Sequence, residues 1–139
     1  MMPTSDQIEE QVLKWEINGC FLEHAACSIE ELSEILDQDE NILGFVNGVS
    51  SRPVYSNPNA RWGVILTAKR ILLICRGGSP VLHWEIPLKH VLKVKKSVGL
   101  PSGKITIYDP EKVTIRRISK ITLDPFFDIL KKAIDAHSY

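Results

Sequence analysis

Three residues near the start of the chain have the types and spacing for metal chemistry. Cys20, His24 and Cys27 fall at i, i+4 and i+7, so a continuous helix would put them on one face. Two thiolates and an imidazole suit zinc, but a closed site needs a fourth ligand. None lies nearby, and the spacing matches no standard zinc motif. Free cysteine also ranks among the most buried residue types, and the same spacing describes a helix face packed on a neighbouring layer. We expect no metal and no cofactor, with these three as the one candidate ligand set.

Other constellations fall short of catalysis. His83 and Glu85 flank Trp84, and on a strand both face the side opposite Leu82, Trp84 and Ile86. No G-x-S-x-G and no known Cys–His signature supplies a nucleophile with a base. Gly77-Gly78 is a turn rather than a phosphate loop, since no G-K-S/T follows it. The expectation is that the protein is not an enzyme.

The informative chemistry is charge. Lysines and arginines number 17, as do aspartates and glutamates, yet the balance is a cancellation. Residues 1–40 carry eleven acids and one base, a balance of −10; the remaining 99 residues carry sixteen bases and six acids, a balance of +10. Such asymmetry bears on partners and on docking within the chain. The bases gather late. Lys89, Lys93 and Lys95 surround one strand, with Lys93 and Lys95 on a common face; Lys96, Arg116, Arg117 and Lys120 add to them. Arg70 stands apart, placed to reach a carboxylate or a carbonyl. Exposed strand lysines also protect edges from aggregation. The functional reading is an anionic membrane surface or an acidic protein segment. Nucleic acid is not expected, because no reader motif is present and few aromatics interleave the bases.

The elements that must position these residues follow from periodicity. At 139 residues, with 44% hydrophobic and 24% charged residues, the chain has the length and composition of one globular domain. Three cysteines without a framework spacing, and a polar, acidic start in place of a signal peptide, fit a cytoplasmic protein. Ile8, Val12 and Trp15 recur at helical spacing; Ser28 to Glu31 reads as a capping box opening a second helix with Ile29, Leu32, Ile35 and Leu36 as its stripe. From Asn41 the period changes. Seven strands are expected: 42–49, 61–67, 70–76, 81–86, 90–98, 104–108 and 113–119. Pro53 and Pro58 keep 50–59 out of a central strand. A last helix spans 122–137, capped by Thr122 or Asp124, with Pro125 in its first turn and an apolar stripe from Leu123 to Ile134.

Seven short strands and one closing helix argue a mainly β fold: an antiparallel barrel or orthogonal sandwich capped by the C-terminal helix. The run from Gly63 to Ile74 resembles the "G-x-L-x-L-T-x-x-R-L-x-F" of bacterial pleckstrin-homology (PH) domains and GRAM domains. Glu85-Ile86-Pro87-Leu88 with Val91, the stretch from Val98 to Ile107, the start at Asp39 to Leu43, and the helix at Phe126 to Ile134 resemble the pieces that surround it. The chain is similar to the YokE-like group of bacterial PH domains, over about residues 38–136. The resemblance implies a PH-like domain over 38–139; residues 1–37, outside it, read as an acidic helical extension. It also implies a non-catalytic module that binds protein, itself included, with anionic lipid as the alternative. The basic cluster that phosphoinositide-binding members carry on their first two strands is missing, since only Arg52 and Arg61 lie between Ile42 and Thr67. The third strand is apolar on both faces. Leu72 and Ile74 must therefore be covered by the extension or by a second subunit, while Arg70, Lys89, Lys93, Lys95, Arg116 and Arg117 are the candidate partner surface.

Overall fold

The computed structural model describes residues 5–16, 29–37, 40–50, 61–75, 82–99, 102–109 and 112–136. Cys20, His24, Cys27, the cap residue Ser28, the 51–60 loop and the Gly77-Gly78 turn lie outside the described residues.

Two helices open the chain, α1 (Ser5–Glu16) and α2 (Ile29–Ile35). Seven strands follow: β1 (Gly44–Ser50), β2 (Arg61–Leu66), β3 (Arg70–Cys75), β4 (Leu82–Pro87), β5 (Lys93–Val98), β6 (Gly103–Tyr108) and β7 (Lys112–Ile118). The helix α3 (Lys120–Asp135) closes the fold. All the pairings are antiparallel, in the order β4-β3-β2-β1-β7-β6-β5. Of the two expected forms, barrel or sandwich, the sheet is not closed: β4 and β5 are its two edges among the described residues. A 3-10 turn at Leu88–His90, fixed by the Leu88 N–H donating to the Lys69 carbonyl at 3.0 Å, takes up the residues between these edges. That turn is also why β5 begins at Lys93 and not at His90.

One face of the sheet curls around an apolar core that includes Val46, Trp62, Val64, Leu66, Ile71, Leu73, Ile86, Ile105, Ile107 and Ile115. Leu123, Phe126 and Leu130 of α3 plug it. At the start of β1, Gly44 leaves room for an aromatic pair: a Cβ there would lie 3.0 Å from Phe126 and 3.3 Å from Trp15. Trp15 meets Phe126 edge-on, with ring centroids 6.0 Å apart. The last helix starts two residues earlier than expected. The N–H groups of Thr122 and Leu123, and the Thr122 hydroxyl, all donate to the Ser119 carbonyl, so Ser119 is the N-cap. Pro125 consequently sits beyond the first turn, where it has no N–H to give to the Ile121 carbonyl.

The opposite face divides in two. In β1–β3, Phe45, Val49, Ile65, Leu72 and Ile74 are fully buried within a single chain. Phe45, Ile65, Leu72 and Ile74 share one apolar cluster with Ile8, Val12, Leu32 and Leu36 of the extension. Arg70, two and four residues before Leu72 and Ile74 on this face, donates to the Ile35 carbonyl of α2 at 3.0 Å. In β5–β7 the same face carries exposed lysines and arginines, with Thr106 buried among them.

Candidate functional site

Arg70 ends the tight β2–β3 turn. The Thr67 N–H donates to the Arg70 carbonyl, while the Lys69 and Arg70 N–H groups donate to the Thr67 hydroxyl at 3.2 Å. The Arg70 guanidinium grips Glu40 with two hydrogen bonds, from Nε at 2.9 Å and from Nη2 at 2.8 Å. It also donates to Glu85 on β4, and Asp37 lies 3.8 Å away. The Glu40 side chain is wholly buried. It accepts further bonds from the Asp37 N–H at 2.9 Å and the Thr67 hydroxyl at 2.7 Å. Burial would raise the Glu40 pKa, but the hydrogen bonds from Arg70, the Asp37 amide and Thr67, with the Arg70 charge, overcome it and hold the carboxyl at about 2. The same pair raises the Arg70 pKa further, chiefly through the bond to Glu40. Arg70 is thus occupied inside the molecule and tied to the junction between extension and sheet. It does not join the other bases.

Those other bases are sorted by strand register. Lys93 pairs across from Tyr108, Lys95 from Thr106 and Ser97 from Lys104; Tyr108 and Thr106 pair in turn with Lys112 and Thr114. Cross-strand partners share a face, so Lys93, Lys95, Lys104 and Lys112 stand together, all exposed. The Lys93 ammonium lies 4.7 Å from the centre of the Tyr108 ring, a cation–π contact. On β7 the register slips: Ile105 pairs with Ile115 but Gly103 with Ile118, so β7 carries an extra residue. That bulge keeps Ile115 and Ile118 buried and leaves both Arg116 and Arg117 exposed. Arg117 takes the strain, at φ 59°. The outcome is six cations on one face, from strands containing no acidic residue.

Two bases leave this group. Lys96 pairs opposite the buried Ile105, so it faces α3, where it bonds Asp124 at 2.6 Å and lies 5.3 Å from the centre of the Phe127 ring. The bond to Asp124 raises its pKa. Lys89 is exposed on the 3-10 turn, outside the three strands. Sequence reasoning missed Lys104 and Lys112 because they are isolated in sequence; the alternation of β6 and β7 was the signal that places them with Lys93 and Lys95. Among the described residues no group of three metal-ligating side chains occurs, and no helix is long and apolar enough to cross a membrane.

The fold has clear relatives. A family model described as "Bacterial PH domain" matches residues 36–132. Among solved structures, the Vps36 N-terminal PH domain is 16% identical, with a TM-score of 0.54, covering 73% of this chain and 83% of its own. A pleckstrin homology domain from Shewanella amazonensis SB2B is 19% identical, with a TM-score of 0.50, covering 76% and 94%. The C-terminal domain of an unknown protein from Leishmania infantum is 11% identical, with a TM-score of 0.50, covering 68% and 85%. No curated protein matches the sequence. At these identities the structures speak for the fold alone. The family match spans most of the chain, and the open seven-stranded sheet with its plugging helix agrees with it: this chain belongs to the bacterial PH domain family.

Proposed function

We propose that this protein is a non-catalytic interaction module that docks on an anionic membrane surface through the outer face of β5–β7. One observation carries the reading: Lys93, Lys95, Lys104, Lys112, Arg116 and Arg117 share an exposed face whose strands hold no carboxylate. Near an anionic leaflet each such side chain contributes about 1 kcal/mol. Leu72 and Ile74, which a second copy would have to cover, are already fully buried within a single chain, and this favours the exposed basic face as the partner surface. The extension does not shut the basic face, because all six cations are exposed with α1 and α2 in place. Its exposed acids, Asp6, Glu9, Glu10, Glu34 and Asp37, give the molecule a separate, negative region.

Co-sedimentation of the full chain with phosphatidylserine-containing vesicles tests this. Binding is expected at low ionic strength and should fall steeply with added salt. No binding at low salt ends the membrane reading and returns attention to acidic protein partners.

A further inference from the structure

The outer face of β5–β7 has a concave spot. Where β5 turns into β6, the Gly99 N–H donates to the Ser102 carbonyl at 3.1 Å. Beside this turn lies a groove of about 250 Å³, lined by Ser97, Ser102, Lys104, Arg116 and Arg117. Three cationic residues and two serines line it, and no acidic residue does. Gly103 also lines the groove; a Cβ there would point toward the core, 2.3 Å from Leu123 Cδ2 of α3. Arg117 is the one non-glycine residue with positive φ among the described residues, and strained backbone concentrates where a side chain must be aimed. Unlike Arg70 and Lys96, neither Lys104 nor Arg117 has a carboxylate partner among the described residues.

We infer that this groove is an oxyanion subsite that takes a phosphate group, carried by a phosphomonoester lipid headgroup or free in solution. Arginine presents a planar fork of donors that matches a phosphate's oxygens, and Lys104 adds a compact charge. The serine hydroxyls supply the remaining donors. The headgroup arm rests on the membrane reading above; the soluble arm does not.

Amide NMR of the full chain, titrated with inorganic phosphate against a chloride control of equal ionic strength, reads the soluble arm. Saturable shifts confined to Gly99, Ser102, Gly103, Lys104 and Arg117 are expected, and they should vanish in Arg117→Gly/Lys104→Ala. Glycine suits the left-handed backbone at 117, so this variant should fold. Uniform shifts over all the lysines, or none beyond the control, overturn the soluble arm. Vesicles of phosphatidic acid and of phosphatidylserine, matched in surface potential, read the headgroup arm. At least tenfold tighter binding to phosphatidic acid, lost in the variant, supports it; the same preference in the variant overturns it. Saturable phosphate shifts without binding to either vesicle would leave the subsite standing for free phosphate and end the membrane function. Absence of both a phosphate site and a phosphatidic acid preference overturns the inference entirely.

Discussion

The two halves of the sheet treat their outer faces in opposite ways. In β1–β3 the outer positions include Phe45, Val49, Ile65, Leu72 and Ile74, all fully buried, and Arg70 is locked onto a buried carboxylate. In β5–β7 they include Lys93, Lys95, Lys104, Lys112, Arg116 and Arg117, all exposed. Arg70 in the first half joins parts of the chain; the six cations of the second stand on an exposed face. A positively charged residue therefore says little about binding until its partners are known. Arg70 has the stronger electrostatic setting and the weaker claim to a ligand.

The largest effects should come from breaking the first half. Removing one member of a buried ion pair strands the other's charge, so Glu40→Ala or Arg70→Met should cost about 3–5 kcal/mol in denaturant unfolding. A loss below about 1 kcal/mol would mean that the pair is as weak as an exposed one. Acid offers a second route. The Glu40 pKa falls on folding, from 4.5 to about 2, so its stabilisation is full above the unfolded value and is lost as pH drops toward 2. About 3 kcal/mol should disappear between about pH 5 and pH 2. Glu40→Gln should flatten that dependence, and an unchanged pH profile in this variant would show that other carboxylates govern acid unfolding.

Breaking the second half should leave the fold alone. Lys93→Glu/Lys95→Glu should weaken vesicle binding at low salt at least tenfold, about 1.4 kcal/mol, and move stability by no more than about 0.5 kcal/mol. An equal loss of binding after reversing Lys131 and Lys132 on α3 would mean that net charge, not this face, is what the membrane sees. The smallest effect sharpens the contrast. Arg117→Gly should raise stability by about 1 kcal/mol, because it relieves the positive φ, while reducing binding. A thermal melt shows the first and co-sedimentation the second.

Much of this architecture is legible in the sequence because alternation and turn residues are local signals. Leu82, Trp84 and Ile86, or Ile105 and Ile107, announce their strands. The need to cover Leu72 and Ile74 is legible too, but the identity of the cover depends on contacts some 35 to 65 residues apart in the chain. The Glu40–Arg70 pair has the same origin: nothing local in Asp39-Glu40-Asn41 tells which carboxylate folds inward. The bulge at Arg116-Arg117 breaks the alternation it would be read from, so the two arginines look like an in-and-out pair until the register is known. Lys96 hides similarly: alternation sets it against Lys95, and only α3, packed on the other side, supplies Asp124. Strand count leaves barrel and sandwich undecided, because it does not reveal whether the last two edges meet.

The tie between Glu40 and Arg70 also governs how the molecule comes apart. Peeling the extension away would expose Leu72 and Ile74 to water and pull a carboxylate out of its guanidinium in the same motion. Helices and sheet should therefore melt in one transition, with the amides of α2 and β3 exchanging hydrogen at similar rates. A protease cutting within the first forty residues would not release a spare arm; it would remove part of what keeps the sheet folded.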